Sequence, residues 1–500
     1  MTLRDLKNIY LETRTDFLAS PLSAFTAAIL ESRPLDFACF NSFETFFENQ
    51  DAIKTPFKFL SEGYQLLSLA LIRILAENSS VDYEEWLQAK INNYVQTSTW
   101  TEFQLLAILK AILANLADQP MVPHSPQLLK GGAAFLEWKG LWSWGKATHG
   151  PLHSDLGCLW GLFGYLSQDN TWIEAAKEVA NWQLNTLNVD FLPIKSLFTL
   201  EENAVFPKIL ISNYLLFSMI AALTGDKHFK FAANKQLEHL NQCQNVKISD
   251  ESLLMEVFLK RIEGLVSEEE FALPPWISDQ EVGLLGFRSP TETVMCVGKG
   301  GQTGLGYLNF AEIGIVNYGP QHLPLGDCQA FGIEESTLET LVCQLNPSKN
   351  GFHLSSTARL TPKQVDLNSF VNFRNGIPSN IWVDLKHTFT LDDKKLEVAA
   401  NFFSLSEMQE LAFVFFVTAD CCYLEKGTVI YPKTFTHYRG IENTLIFKRG
   451  EKRLSIKAHA PLNVEVIPLS GGENFWGADF LVAYPMNSIS TSFEWKISKV

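Results

Sequence analysis

Apolar residues recur at three-to-four spacing through the first half of the chain, and beyond residues 270–280 they alternate in short runs. The first rhythm puts one stripe of a helix into a core, and the second puts every other residue of a strand there. Helices are predicted over Leu60–Asn78, Tyr83–Tyr94, Trp100–Leu116, Asp155–Leu166, Trp172–Leu187, Pro207–Leu223, Phe229–Leu240 and Leu253–Leu265, with less regular helical stretches at 3–18, 20–32 and 38–48. Short connectors such as Ser167–Asn170 and Gly225-Asp226 make consecutive helices antiparallel neighbours. Asn170–Leu187 and Gly225–Leu240 each open with a turn, an aromatic residue and then Ala-Ala, which suggests a repeated helical hairpin. Pro207–Leu223 is apolar nearly all round and has to be covered on more than one side, as the inner layer of a double ring of hairpins would be.

Strands are predicted at Thr293–Val297, Leu305–Phe310, Ile313–Tyr318, Leu338–Leu345, Ile381–Leu391, Lys395–Phe403, Leu411–Val417, Thr444–Phe447, Arg453–Ala458, Val464–Ile467, Phe480–Tyr484 and Thr491–Ile497. No helix pattern intervenes, so the sheets are antiparallel. The expected architecture is α then β: an N-terminal (α/α) toroid over residues 1–270 and a large antiparallel β-sandwich over 280–500. Ser267–Asp279, with Pro274-Pro275, is the expected linker.

With 46% apolar and 12% aromatic residues, 500 residues can bury large cores. The net charge of −15 disfavours nucleic acid and anionic membrane as partners. No apolar run reaches the roughly 20 residues of a membrane span, and MTLRDLKNIYLETRTD lacks the apolar centre of a secretory signal. The eight cysteines show no CxxC pair and several sit in apolar segments, as buried free thiols do. A soluble, cytoplasmic chain is expected. Its oligomeric state is left open.

The segment Trp138–Tyr165 holds the densest candidate chemistry: Trp138, Trp142, Trp144 and Trp160 beside Lys139, Lys146, His149, His153 and Asp155. Indole faces stack on the apolar faces of sugar rings, so Trp142 and Trp144 are candidate substrate-binding residues. His149 and His153 have the i, i+4 spacing of a helical metal pair, but Gly150-Pro151 between them breaks a continuous helix, so no metal is expected. Ser154 reads as the N-cap of a helix beginning at Asp155. Glu202, in Glu201-Glu202-Asn203, falls on a predicted rim loop, where paired carboxylates could serve glycoside hydrolysis. Asn213 and Tyr214 interrupt the apolar helix Pro207–Leu223, and their polar groups need partners. The Gly-rich stretch Lys299–Gly306 lacks the Ser or Thr of a phosphate loop, and Asn317–Asp327 reads as a polar loop that brings His322 towards an interdomain cleft. No dinucleotide fingerprint, nucleophile elbow or zinc spacing occurs, so no cofactor is expected.

A helical toroid followed by a large sandwich resembles the polysaccharide lyases of the chondroitin/hyaluronate lyase and heparinase II/III-like types, in element order along the whole chain. The resemblance implies a cleft between the domains. There a Tyr or His removes the proton beside a uronate carboxylate while an Asn, Gln or Glu neutralises that carboxylate. Mapped onto this chain, Tyr214, His149, His153 and His322 take the proton-transfer roles, and Asn213, Glu202, Asp155, Trp142 and Trp144 hold the glycan. The His/Tyr pairing of the chondroitin type is not matched, since the corresponding positions after His149 and His153 are Cys158 and Leu162. A glycoside hydrolase using Asp155 or Glu202, or a glycan-binding protein without chemistry, are the alternatives.

Overall fold

The computed structural model describes residues 6–13, 21–32, 35, 56–76, 80–97, 104–119, 121, 150–194, 206–243, 246–264, 266–279, 283–298, 305–310, 312–322, 330–346, 350–363, 381–403, 411–434, 437–469, 477–486 and 491–500. Among these, ten helices precede every named strand: α1 (Leu6–Thr13), α2 (Pro21–Leu30), α3 (Pro56–Leu75), α4 (Val81–Thr97), α5 (Gln104–Leu116), α6 (Gly150–Ser167), α7 (Asn170–Asn185), α8 (Phe206–Thr224), α9 (Lys227–Leu240) and α10 (Asp250–Ile262).

Side chains at the helix starts set several of these boundaries. Asp169 accepts from the Thr171 amide, Asp226 from that of His228 and Ser249 from that of Ser252, each satisfying a backbone N–H that has no partner within the helix. α6–α7 and α8–α9 are hairpins built alike. Their turns pass through Gln168 and Gly225, both at positive φ, and the second helix of each buries an aromatic residue and an Ala pair: Trp172, Ala175 and Ala176 in one, Phe229, Ala232 and Ala233 in the other. α6 and α8 run parallel, with Ser154 Oγ donating to Asn213 Oδ1 at 2.6 Å near their starts and Gly161 meeting Met219 further on. Arg73 of α3 reaches the Leu116 carbonyl at the end of α5 (3.1 Å), and Arg261 of α10 reaches that of Ile74 at the end of α3 (2.7 Å). α3, α5, α6, α8 and α10 pack each against the next, and α10 packs back onto α3. Pro207–Thr224 is apolar and long enough to cross a membrane, and 72% of that window is buried inside the protein.

One difference in boundary bears on the candidate residues. α6 begins at Gly150, not at Asp155, because Pro151 sits in the first turn, where its missing N–H costs no hydrogen bond. Ser154 is therefore inside the helix, and its hydroxyl serves Asn213 instead of capping.

Sixteen antiparallel strands follow: β1 (Trp276–Asp279), β2 (Leu284–Arg288), β3 (Glu292–Val297), β4 (Gly306–Phe310), β5 (Ile313–His322), β6 (Ala330–Asn346), β7 (Gly351–Lys363), β8 (Trp382–Thr390), β9 (Lys395–Phe403), β10 (Leu411–Thr418), β11 (Cys421–Tyr423), β12 (Val429–Ile430), β13 (Tyr438–Arg449), β14 (Lys452–Pro468), β15 (Phe480–Pro485) and β16 (Ser492–Lys499). β5 to β9 pair in succession, β9 pairs β16, and β16 pairs β14. β14 then pairs β15, β15 pairs β10, and β10 returns to β5. The sheet is thus nearly barrel-shaped, around a core that includes Tyr318, Phe413, Phe415, Tyr484 and Trp495. Along β8 and β9 burial alternates strictly, so odd positions of β8 and even positions of β9 face that core and the others face outward.

The expected loop Asn317–Asp327 is overturned up to His322. Gly319-Pro320 reads as a turn, yet the apolar strand β10 pairs along it, with Leu411 opposite His322 and Phe413 opposite Pro320. Likewise the separate strands expected at Arg453–Ala458 and Val464–Ile467 are one strand, β14, because a register shift in β13 between Glu442 and Thr444 absorbs the irregularity of the hairpin.

β2 and β3 are buried on both faces, since Leu284, Met295 and Val297 join the helical core while Leu285, Val294 and Cys296 join the sheet core. Arg288, 2% exposed, crosses this seam. Its Nη1 donates to the carbonyls of Leu184 (3.0 Å) and Leu187 (2.6 Å) at the end of α7, and its Nε to that of Pro274 (2.8 Å).

Candidate functional site

Titratable groups from four helices gather at the starts of α6, α8 and α10. Asp155 lies one turn into α6 and Lys208 near the start of α8, with Ser212 one turn on and Glu251 in the first turn of α10. Tyr64 of α3 lies within the electrostatic reach of Asp155 and Glu251. Its hydroxyl oxygen is buried and has no hydrogen-bond partner among the described residues. Loss of solvent pushes the Asp155 carboxyl above its usual range, against the opposing effects of the Lys208 charge and a hydrogen bond from Ser212. Burial likewise raises the Tyr64 phenol well above its ordinary value, and the negative charges of Asp155 and Glu251 add to that. A carboxyl pushed upward, within the field of a phenol and beside one lysine, can hold or pass a proton.

Asn213 and Tyr214 follow Ser212 directly along α8 and are already engaged. Asn213 is fully buried, accepting from Ser154 and donating to Gln236 Oε1 at 3.4 Å, while Gln236 donates to the Phe191 carbonyl at 2.6 Å. Tyr214, 6% exposed, donates to Glu256 Oε1 at 2.9 Å, and Lys260 pairs with the same oxygen at 3.2 Å. Burial and the Glu256 charge raise the Tyr214 phenol well above its ordinary value. The structure therefore brings Asp155, Asn213 and Tyr214 into one region of α6 and α8, with only Asp155 partly open to solvent. His153 is in the first turn of α6 and His322 is the last residue of β5. Trp142, Trp144, His149 and Glu202 lie outside the described residues.

Tyr64, Lys208 and Ser212 were not singled out by the sequence pattern. Tyr64 reads there as one more large residue of an apolar helix, and the one available signal was Ser212, a second polar residue beside Asn213 in a long apolar helix. Among the described residues no three His, Cys, Asp or Glu side chains gather as a metal site would require. Cys158, Cys243, Cys296, Cys343, Cys421 and Cys422 are free thiols.

No protein-family description matches the chain, and no characterised protein matches it in sequence. Among solved structures, a chondroitin AC lyase of Streptomyces coelicolor A3, in a tyrosine-to-alanine variant, overlaps 98% of this chain and 99% of its own, with a TM-score of 0.26 and 11% identity. HI1317 overlaps 46% of this chain and 98% of its own, with a TM-score of 0.25 and 9% identity. Both likenesses are too slight to carry an argument.

Proposed function

We propose that this chain is a carbohydrate-active protein, an (α/α) toroid followed by a β-sandwich, that cleaves uronate-containing glycans by β-elimination. The observation that carries the reading is the circuit α3, α5, α6, α8, α10 and back to α3, with Asp155, Tyr64, Lys208 and Ser212 gathered where α6 and α8 start side by side. A circuit of this kind is what a toroid requires, and a toroid presents one end of its inner helices to a ligand. The sequence segments carrying Trp142, Trp144 and His149, and Glu202, lead directly into those two starts. Elimination needs a group that removes the proton beside the uronate carboxylate and a cation or donor that neutralises the carboxylate. In this reading a nearby histidine removes that proton and Lys208 neutralises the carboxylate, while Tyr64, whose raised phenol stays protonated, gives its proton to the departing glycosidic oxygen and recovers one through Asp155.

A second reading, glycan binding without cleavage, is favoured by Asn213 and Tyr214, whose polar groups are occupied by Ser154, Gln236 and Glu256. The growth of ultraviolet absorbance from an unsaturated uronate, followed over a panel of uronate glycans, separates the two. Lyase action predicts absorbance growth that Tyr64→Phe abolishes with no loss of thermal stability, because the hydroxyl removed has no partner. Unchanged turnover in Tyr64→Phe removes Tyr64 from the mechanism, and no absorbance on any uronate glycan leaves the binding reading.

A further inference from the structure

The outward face of strands β7, β8, β9, β16 and β14 carries a hollow of about 650 Å³ far along the chain from the helical cluster. Register places its side chains in rows. One row runs His353, Thr388, Glu397, Lys496, Lys457 across five strands, and the next contains Lys386, Ala399 and Glu494, with His459 beside Glu494. The small side chain of Ala399 sits between Lys386 and Glu494 and leaves the depression open.

Lys457 and Lys496 are direct register partners on adjacent antiparallel strands, both exposed. Like charges set opposite each other this way destabilise a sheet. Neither they nor Lys386 makes an ion pair among the described residues, whereas Glu397 is held by Lys395 and Glu494 lies 4.0 Å from His459. A chain with a net charge of −15 thus concentrates unbalanced cations in one concavity. On the same face, three residue pairs further along β8, which is about 20 Å of strand, Trp382 stands opposite Phe403, an aromatic residue 40% exposed, and Arg359 lies over the Trp382 ring at 5.0 Å. Between the two ends lie Asp384, Asn401 and Ser492, whose polar groups suit hydroxyls.

We propose that this face is a second glycan site, distinct from the helical cluster, that binds an acidic polysaccharide chain: its carboxylates or sulfates between Lys457, Lys496 and Lys386, and a sugar ring on Trp382 and Phe403. The choice of ligand class rests on the function proposed above, but the site does not. DNA fits less well, because it offers few hydroxyls to Asp384, Asn401 and Ser492.

The test uses the full chain, with hyaluronate and heparin oligosaccharides as acidic probes and dextran and single-stranded DNA as controls, each titrated calorimetrically at low and high salt. Acidic oligosaccharides should bind, more weakly in high salt. A Lys386→Gln, Lys457→Gln, Lys496→Gln triple variant should lose affinity at least about tenfold while its thermal midpoint holds or rises, since the opposed lysines are gone. Unchanged affinity in the triple variant, no acidic probe binding at all, or DNA binding more tightly than either glycan would each overturn the proposal. Because this assay reads binding and the absorbance assay reads cleavage, a chain that binds here and cleaves nothing refutes the lyase reading alone.

Discussion

His387 is a neutral imidazole sealed in the sheet core on β8, its ring 5.8 Å from that of Tyr318, and neither ring nitrogen has a hydrogen-bond partner among the described residues. Burial, with a smaller contribution from nearby His353, brings its pKa down to about 3 from 6.5. The unfolded chain takes up this proton near the ordinary value and the folded chain only near pH 3. Between those limits the unfolded state binds more protons, so stability is complete above about pH 6.5 and falls as the pH drops. His387→Phe, similar in shape and without the nitrogens, should flatten that part of the profile. Urea midpoints are expected to rise relative to the parent at pH 4–5 and to change little at pH 8. A parallel shift at both pH values would show that protonation of this ring is not the cause. Glu292 is the opposite case on β3: desolvation would raise its carboxyl, but Lys394, Thr291 and Ser289 outweigh that and hold it down to about 2, so it stays charged through the same range.

At the scale of elements, the parallel packing of α6 on α8 rests on missing side chains. A Cβ at Gly157 would lie 2.8 Å from Leu216 and 2.9 Å from Val179. Gly157→Leu gains helix propensity of about 1 kcal/mol at an ordinary helical position, yet overpacking of this kind costs roughly 1–3 kcal/mol and occasionally more. The clash should win, because Val179 is stiff at its branched carbon. The thermal midpoint is expected to fall by several degrees, and a midpoint equal to or above the parent's would mean that the two helices do not approach this closely. The helix caps by Asp169, Asp226 and Ser249 were of a kind that pattern reveals, while this close approach was not, since a glycine within an apolar run reads the same whether or not another helix leans on it.

At the scale of the whole molecule, Arg288 ties the helical half to the sheet through the end of α7, with burial lowering its pKa to about 10. Replacing it with Met leaves the carbonyls of Pro274 and Leu187 without their charged donor in a buried seam, a loss of about 3 kcal/mol or more. Arg288→Met should lower the first unfolding transition and separate the helical from the sheet signal, read by circular dichroism at a helical wavelength and by the sheet band of the infrared amide I spectrum. A single transition at the parent temperature would show that the seam is held by its apolar contacts alone.

The period of apolar residues was enough to place helices before strands, to locate most strands to within a few residues and to flag Asn213 and Tyr214 as polar groups in need of partners, because period and burial are properties of neighbours along the chain. It was not enough to extend β5 through Gly319-Pro320, to start α6 at Gly150 or to find Tyr64. Those depend on what lies across space: β10 supplies the ladder that a local turn signal hides, and α6, α8 and α10 supply the charges that set Tyr64 apart from other aromatic residues. The same holds for the lysine face. Lys386, Lys457 and Lys496 are scattered over 111 positions of sequence, and only the antiparallel register of β8, β9, β16 and β14 converts that scatter into one surface, because hydrogen bonding between strands fixes which residues stand opposite each other.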